Sequence, residues 1–361
     1  MNFDINKAVK ESIKNITPYV PGKPVEEVKR ELKLKDVVKL ASNENPLGPS
    51  KKAVKAMQKA AENINYYPES SAYYLRKELA KHLKVKTDML VLGNGSNELE
   101  QLITEAFVSE GDEVLFSALS FVVYPIVTNI AGGTPVQVPH KDFRHDMEGF
   151  VKKLSKKTKL VFLCNPNNPT GSIITTKEFE AFMEKTDPNT IVVLDEAYFE
   201  YARTRNSPNG INYIKKHKNL IVLRTFSKIY GLAGARVGYG ICCREIAEII
   251  ERVRPPFNVN TLAQAGALAA LNDRKYVERT LKTNEDGKKF LCRGFEKLDI
   301  KYYETYANFI FVAFKTNAKI IFDELLKKGV IIRPFFDGFA RITIGTPAEN
   351  RKLLRALKEI L

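Results

Sequence analysis

The chain has 361 residues, 44% of them hydrophobic and 10% aromatic, and a formal net charge of +15 at pH 7. That length suits one large domain plus a smaller one, and the apolar content excludes a disordered chain. The basic balance raises nucleic acid as a partner, but the lysines are spread over helical stretches such as 51–59, 152–159 and 315–328 among apolar residues, so they read as solvated helix faces and no nucleic-acid partner is expected.

Residues 1–30 read as an arm ending in Thr17-Pro18-Tyr19-Val20-Pro21-Gly22, where prolines and a glycine forbid a helix and favour an extended loop. The arm holds no apolar signal-peptide core, and no apolar run in the chain approaches about eighteen residues, so no membrane span and a cytoplasmic location are expected. A short strand, 37–40, enters the loop Asn43-Glu44-Asn45-Pro46, whose simplest role is to reverse the chain. After a helical segment come Tyr66-Tyr67-Pro68. Met89 to Leu92 then reads as a strand, followed by the tight turn Gly93-Asn94-Gly95-Ser96-Asn97 and a helix start. Such a turn lets backbone N–H groups approach an anion at a helix N-terminus, although the third glycine of the dinucleotide fingerprint is replaced by Glu98.

Asp112 to Phe116 is another strand, with Phe121 shortly after it. Three apolar strands follow, each ending in polar side chains: 160–164 before Asn168, 191–194 before Asp195 and Tyr198, and 220–223 before Thr225, Ser227 and Lys228. A lysine at the end of an apolar strand is either solvated or desolvated, and desolvation would make it the neutral amine that bonds an aldehyde. Arg236 precedes a further strand, 237–241, and Pro255-Pro256 suit an interdomain hinge. The remainder, with a helix over 261–271, strands over 308–314 and 330–333 and a helix over 320–328, makes a smaller α+β domain carrying Arg333 and Arg341. The four cysteines and four histidines show no metal-ligand spacing, so no metal is expected.

Ligands bind outside the carboxyl ends of strands in open parallel sheets, so Asn168, Asp195, Tyr198 and Lys228 can face one crevice. In order and spacing, from about Tyr19 to the C-terminus, these motifs resemble the fold type I aminotransferases, and more narrowly the histidinol-phosphate aminotransferases. The resemblance implies an α/β fold: a large domain, 31–256, with a mostly parallel central sheet and helices on both faces, and a small C-terminal domain, 257–361. It implies pyridoxal 5'-phosphate as cofactor. Lys228 would bond its aldehyde, Asp195 would hold the pyridine nitrogen protonated, and Asn168 and Tyr198 would contact the ring oxygen. Phe121 would stack on the ring where relatives often carry tyrosine. Gly95, Ser96, Asn97, Ser227, Arg236 and a more distant Thr225 would hold the phosphate, with Tyr67 reaching across from the other subunit of a homodimer. Tyr19, Arg333 and Arg341 would bind the substrates, L-histidinol phosphate and 2-oxoglutarate. An aromatic amino acid aminotransferase and a threonine-phosphate decarboxylase are the alternative readings within the same fold.

Overall fold

In the computed structural model every residue is described except Met1, Asn15, Val20, Arg203 and Arg205, so the expected arm lies partly outside the described residues. Seven strands form the central sheet: β2 (Leu90–Gly93), β3 (Glu113–Ser117), β4 (Thr134–Val138), β5 (Thr158–Cys164), β6 (Ile191–Asp195), β7 (Leu220–Thr225) and β8 (Gly238–Ile241), in spatial order β2-β8-β7-β6-β5-β3-β4. Among the described strands β8 is reversed: it runs antiparallel to both its neighbours, β2 and β7, while the other pairings are parallel. The central strands β5, β6 and β7 are nearly continuous apolar runs because both faces of the sheet are buried there. Val161, Leu163, Val192, Leu194 and Val222 point into one core, while Leu160, Phe162, Val193, Ile221 and Leu223 point into the other.

A second, four-stranded antiparallel sheet is built from β9 (Lys301–Tyr302), β10 (Phe309–Ala313), β12 (Arg333–Pro334) and β13 (Phe339–Thr343), in the order β12-β13-β10-β9. Its inner face, with Ile310, Val312, Ala340 and Ile342, packs on the helices Ala318–Lys327 and Pro347–Ile360. Its other face carries Phe309, Phe311, Phe339, Arg341 and Thr343, which the register sets opposite one another across β10 and β13.

The packing divides the chain differently from the expected 31–256 and 257–361. Val38-Lys39 (β1) pairs with Val330-Ile331 (β11), and Val28, Leu40 and Ala41 share cores with C-terminal residues. Conversely, the helix Thr261–Leu271 belongs to the large domain, where Ala263, Ala267 and Ala270 pack with Ala53 and Leu232. The hinge prolines are therefore not the boundary. The helix Arg274–Lys297 spans it, with Val277 and Leu281 on the large core and Leu291 and Phe295 in the small one. The arm, expected to be extended, includes short helices at Ile5–Ala8 and Glu11–Lys14 and a longer one at Val25–Leu32. Pro21, Gly22 and Pro24 keep the stretch between them irregular.

Candidate active site

The carboxyl ends of β2, β3, β5, β6 and β7 lie along one edge of the large sheet, and the aromatic face of the small sheet closes over it. Between them is a cavity of about 490 Å3. Its wall includes Tyr19, Ser96, Asn97, Phe121, Asn168, Asp195, Tyr198, Thr225, Ser227, Lys228, Arg236, Arg333 and Arg341. Thirteen positions scattered over most of the chain thus meet in one place.

At the floor, the Asp195 carboxylate is buried at the end of β6. Its Oδ1 accepts from the Ala197 N–H at 3.0 Å and its Oδ2 from the Tyr124 hydroxyl at 2.8 Å. Burial raises its pKa above the ordinary value, while those two hydrogen bonds and the Lys228 ammonium act in the opposite direction. Tyr124 is held in place by stacking on Phe162, with ring centroids 4.5 Å apart and planes within 6°. Beneath them Glu100, on the helix Ser96–Phe107, is fully buried, and neither carboxyl oxygen has a hydrogen-bond partner among the described residues. Burial, reinforced by Asp195, pushes its pKa well up and favours the neutral carboxyl.

Lys228 projects from the turn after β7. Burial lowers its pKa from 10.5 to about 8, helped by Arg341 and Arg236 and opposed by Glu44 and Asp195. An amine in that range is neutral often enough to attack a carbonyl. Its Nζ sits 5.6 Å from the centre of the Tyr198 ring. The Tyr198 hydroxyl accepts from Asn43 Nδ2 at 2.9 Å, and burial moves its pKa upward.

One end of the cavity is built for an anion. The helix Ser96–Phe107 starts there with no side chain capping it, so its first N–H groups and partial positive charge face the cavity. Gly95 adopts φ +87°, and a Cβ on it would collide with the Arg236 guanidinium. Only glycine lets the turn and the arginine approach this closely. Arg236, itself at φ +60°, reaches Ser227 Oγ at 3.5 Å and the Asn94 carbonyl at 3.4 Å. Thr225 Oγ1 accepts from the Ser227 N–H at 3.1 Å and so shapes the same turn.

At the other end lie the cations of the small sheet. Arg341 donates to Asn168 Oδ1 and to the Ala41 carbonyl, while its Nε has no partner among the described residues. Burial, with Arg333 nearby, lowers its pKa to about 10, which leaves it cationic at neutral pH. Arg333 lies 5.9 Å from the centre of the Tyr19 ring, so the arm of the same chain covers this end.

A model of the family described as aminotransferase class I and II matches residues 35–357. The chain belongs to that family. It is 47% identical over 357 residues to a histidinol-phosphate aminotransferase of Moorella thermoacetica, spanning 98% of this chain and 92% of that protein. It is 43% identical to another of Caldicellulosiruptor saccharolyticus, spanning 98% and 99%. The solved histidinol-phosphate aminotransferase of Sinorhizobium meliloti, in complex with pyridoxal-5'-phosphate, superposes with a TM-score of 0.90 at 28% identity and covers 98% of each chain.

The residues of the aminotransferase cavity fit that cofactor: an uncapped helix start at Ser96–Asn97 with Arg236 for an anion, the buried Asp195 carboxylate, and the Lys228 amine of lowered pKa all line one cavity. Two of the expected residues do not line this chain's own cavity, and for Tyr67 that is what a role in a partner's site requires. Gly95 lies behind the wall, where its missing side chain makes room for Arg236. Tyr67 is 82% exposed on the outer surface, stacked on Phe257 at 4.8 Å. Two wall or floor groups had no expected role. Asn43 takes φ +54° and ties Tyr198 to Thr343, whose Oγ1 is 2.9 Å from the Asn43 N–H and 3.1 Å from Asn43 Oδ1. An asparagine in a turn-rich loop tolerates that φ, which was the signal available. Tyr124 sits one helical turn beyond Phe121, and nothing in its local sequence announces a partner on β6.

Proposed function

We propose that this aminotransferase uses pyridoxal 5'-phosphate to move the amino group between L-histidinol phosphate and 2-oxoglutarate, yielding imidazole acetol phosphate and L-glutamate in histidine biosynthesis. The observation that carries the reading is the pair Arg341 and Arg333 beside Tyr19, lining the same cavity as Ser96, Arg236 and Lys228. A substrate with an anionic tail can reach both the arginines and the lysine. The relatives named for this activity span nearly the whole chain.

When bound, the cofactor supplies an electron sink for the charge that develops at the substrate Cα. Asp195 would hold the proton on the pyridine nitrogen, and the Tyr124 hydroxyl favours its ionised form. Asn168 and Tyr198 would hold the ring oxygen, Phe121 would cover the ring face, and Ser96, Asn97, Ser227 and Arg236 would bind the phosphate, with Gly95 giving the room. Lys228 Nζ takes the proton from the substrate Cα, as its lowered pKa allows. Arg341, with Arg333, binds the phosphate or carboxylate of the substrate through charge-assisted hydrogen bonds.

The working enzyme is a homodimer. Tyr67, with Tyr66, Tyr74 and Ile64 also exposed, offers an apolar patch to a second copy and a hydroxyl to its cofactor phosphate. A cytoplasmic setting accords with the free thiols Cys164, Cys242, Cys243 and Cys292.

Single-turnover mixing of the yellow holoenzyme with L-histidinol phosphate, L-glutamate and L-phenylalanine tests the reading. The visible band is expected to bleach fast with the first two and slowly with the third. Phenylalanine winning by a wide margin would move the protein to the aromatic aminotransferases.

A further inference from the structure

A two-residue turn, Asp142-Phe143, joins Lys141 to Arg144, whose backbones exchange hydrogen bonds of 3.0 and 2.9 Å. A hairpin of this length takes positive φ at both central residues and favours Asn-Gly or Asp-Gly. Here φ is +50° at Asp142 and +60° at Phe143. A phenylalanine in the left-handed region is held there against its own preference, so the surroundings must offset the cost.

The ring's neighbours show what does so. Its centroid lies 4.6 Å from Tyr303, 4.9 Å from Phe339 and 5.5 Å from Phe311, all three on the small domain. These are attractive aromatic spacings. Phe311 stands directly opposite Arg341 in the β10–β13 register, and Phe339 precedes Arg341 by two residues on the same face. The hairpin is tied to the large domain next to Asn168: the Phe143 carbonyl accepts from Ser172 Oγ at 3.1 Å, and Arg144 donates to the Ile173 carbonyl at 3.2 Å and pairs with Glu178 at 3.3 Å. Asn168 in turn accepts from Arg341.

We propose that Phe143 is a positioning residue, whose ring, presented by a strained turn of the large domain, sets the sheet that carries Arg341 at its working distance from Lys228. The inference rests on the anion-binding role proposed for Arg341. The side chains proposed to hold the cofactor within one chain lie on the large domain, and Arg333 and Arg341 lie on the small one. A shift of the small sheet therefore acts first on substrate binding and leaves the phosphate cradle in place, reaching the cofactor ring only through the Arg341–Asn168 and Thr343–Asn43–Tyr198 hydrogen bonds.

The test compares Phe143→Ala, Phe143→Gly and Phe143→Tyr as holoenzymes. Glycine removes the ring and also relieves the turn, so a fold lost through turn strain is separated from a lost contact. The half-saturating concentrations of glutamate and of histidinol phosphate are expected to rise about three- to tenfold in Ala and Gly, from the loss of aromatic contacts. The limiting rate, the visible band and the cofactor affinity should stay within about twofold, a margin below the effect sought. Tyrosine should restore wild-type values. In the cofactor-free protein, amide exchange along β13 should speed up in Ala and Gly. Unchanged half-saturation, or cofactor affinity falling in parallel with it, would overturn the proposal. The glutamate reaction is read separately, so a wild-type enzyme that ignores histidinol phosphate overturns the substrate assignment alone.

Discussion

Among the described residues, the hydroxyl of Tyr124 is the one side-chain oxygen donor on the Asp195 carboxylate. A hydrogen bond to a charged group is worth about 1.5 to 3 kcal/mol, and this one favours the ionised form. Tyr124→Phe should therefore raise the Asp195 pKa and weaken cofactor binding by up to about a hundredfold, the same energy expressed as an equilibrium ratio. The acid limb of the single-turnover rate should move upward in pH. Spectrophotometric titration of apoenzyme with cofactor, across pH, reads both effects.

Lys228 offers a second test at this scale, with a definite sign. Its pKa falls from 10.5 to about 8 on folding, so between those values the unfolded chain binds more protons than the native one. Stability of the cofactor-free protein contributed by this group then rises with pH through that window, and the cost is fully present below it. Lys228→Met, which removes the charge and keeps the length, is expected to unfold later than wild type at pH 7. Its advantage should shrink as the pH climbs from about 8 toward the ordinary lysine value. Denaturant unfolding of the two apoproteins at several pH values measures this.

At the scale of elements, the strand ends are held in register by a buried pair. Arg224 on β7 donates from Nε at 2.8 Å and Nη2 at 2.7 Å to Glu196 Oε2, and Nη2 also reaches Asn209 at 2.9 Å. Glu196 Oε1 accepts from the Gly210 N–H at 2.8 Å, and the guanidinium lies 3.5 Å over the Phe199 ring. Glu196 follows Asp195 directly, and Arg224 lies three residues before Ser227. The pair therefore aligns the strands that deliver the floor and the lysine. Arg224→Met leaves a buried carboxylate unpaired and should cost about 3 to 5 kcal/mol in urea unfolding. Arg224→Met with Glu196→Gln, which removes the stranded charge and keeps an acceptor for Gly210, should recover part of that loss.

For the whole molecule, the decisive question is where Tyr67 acts. It does not line its own chain's cavity and is 82% exposed, so its proposed role at a cofactor phosphate is that of a residue reaching a second chain. Lys228→Ala and Tyr67→Ala homodimers are both expected to be impaired, the first with neither turnover nor the visible band. Mixing the two under subunit exchange should restore activity, because one site of each hybrid has its own Lys228 and receives an intact Tyr67 from the partner. No recovery, with exchange shown by mass, would assign Tyr67 to the surface alone.

Much of this was legible in the linear chain. β5, β6 and β7 are apolar runs because a parallel sheet is buried on both faces, and each run stops where polar residues begin. Sheet geometry then gathers Asn168, Asp195 and Lys228 at one edge. The resemblance in motif order added the anion cradle and the two arginines. What depended on tertiary structure involves partners far apart in sequence: Tyr124 with Asp195, Asn43 with Tyr198 and Thr343, and Phe143 with Phe311 and Phe339. The domain boundary belongs to the same class, because β1 pairs with β11 and the helix Arg274–Lys297 serves two cores. Local sequence determines which residues sit at strand ends, since burial and backbone periodicity act over a few residues. It does not encode which distant group satisfies a buried hydroxyl or balances a strained turn, since those energies exist only once the chain has closed on itself.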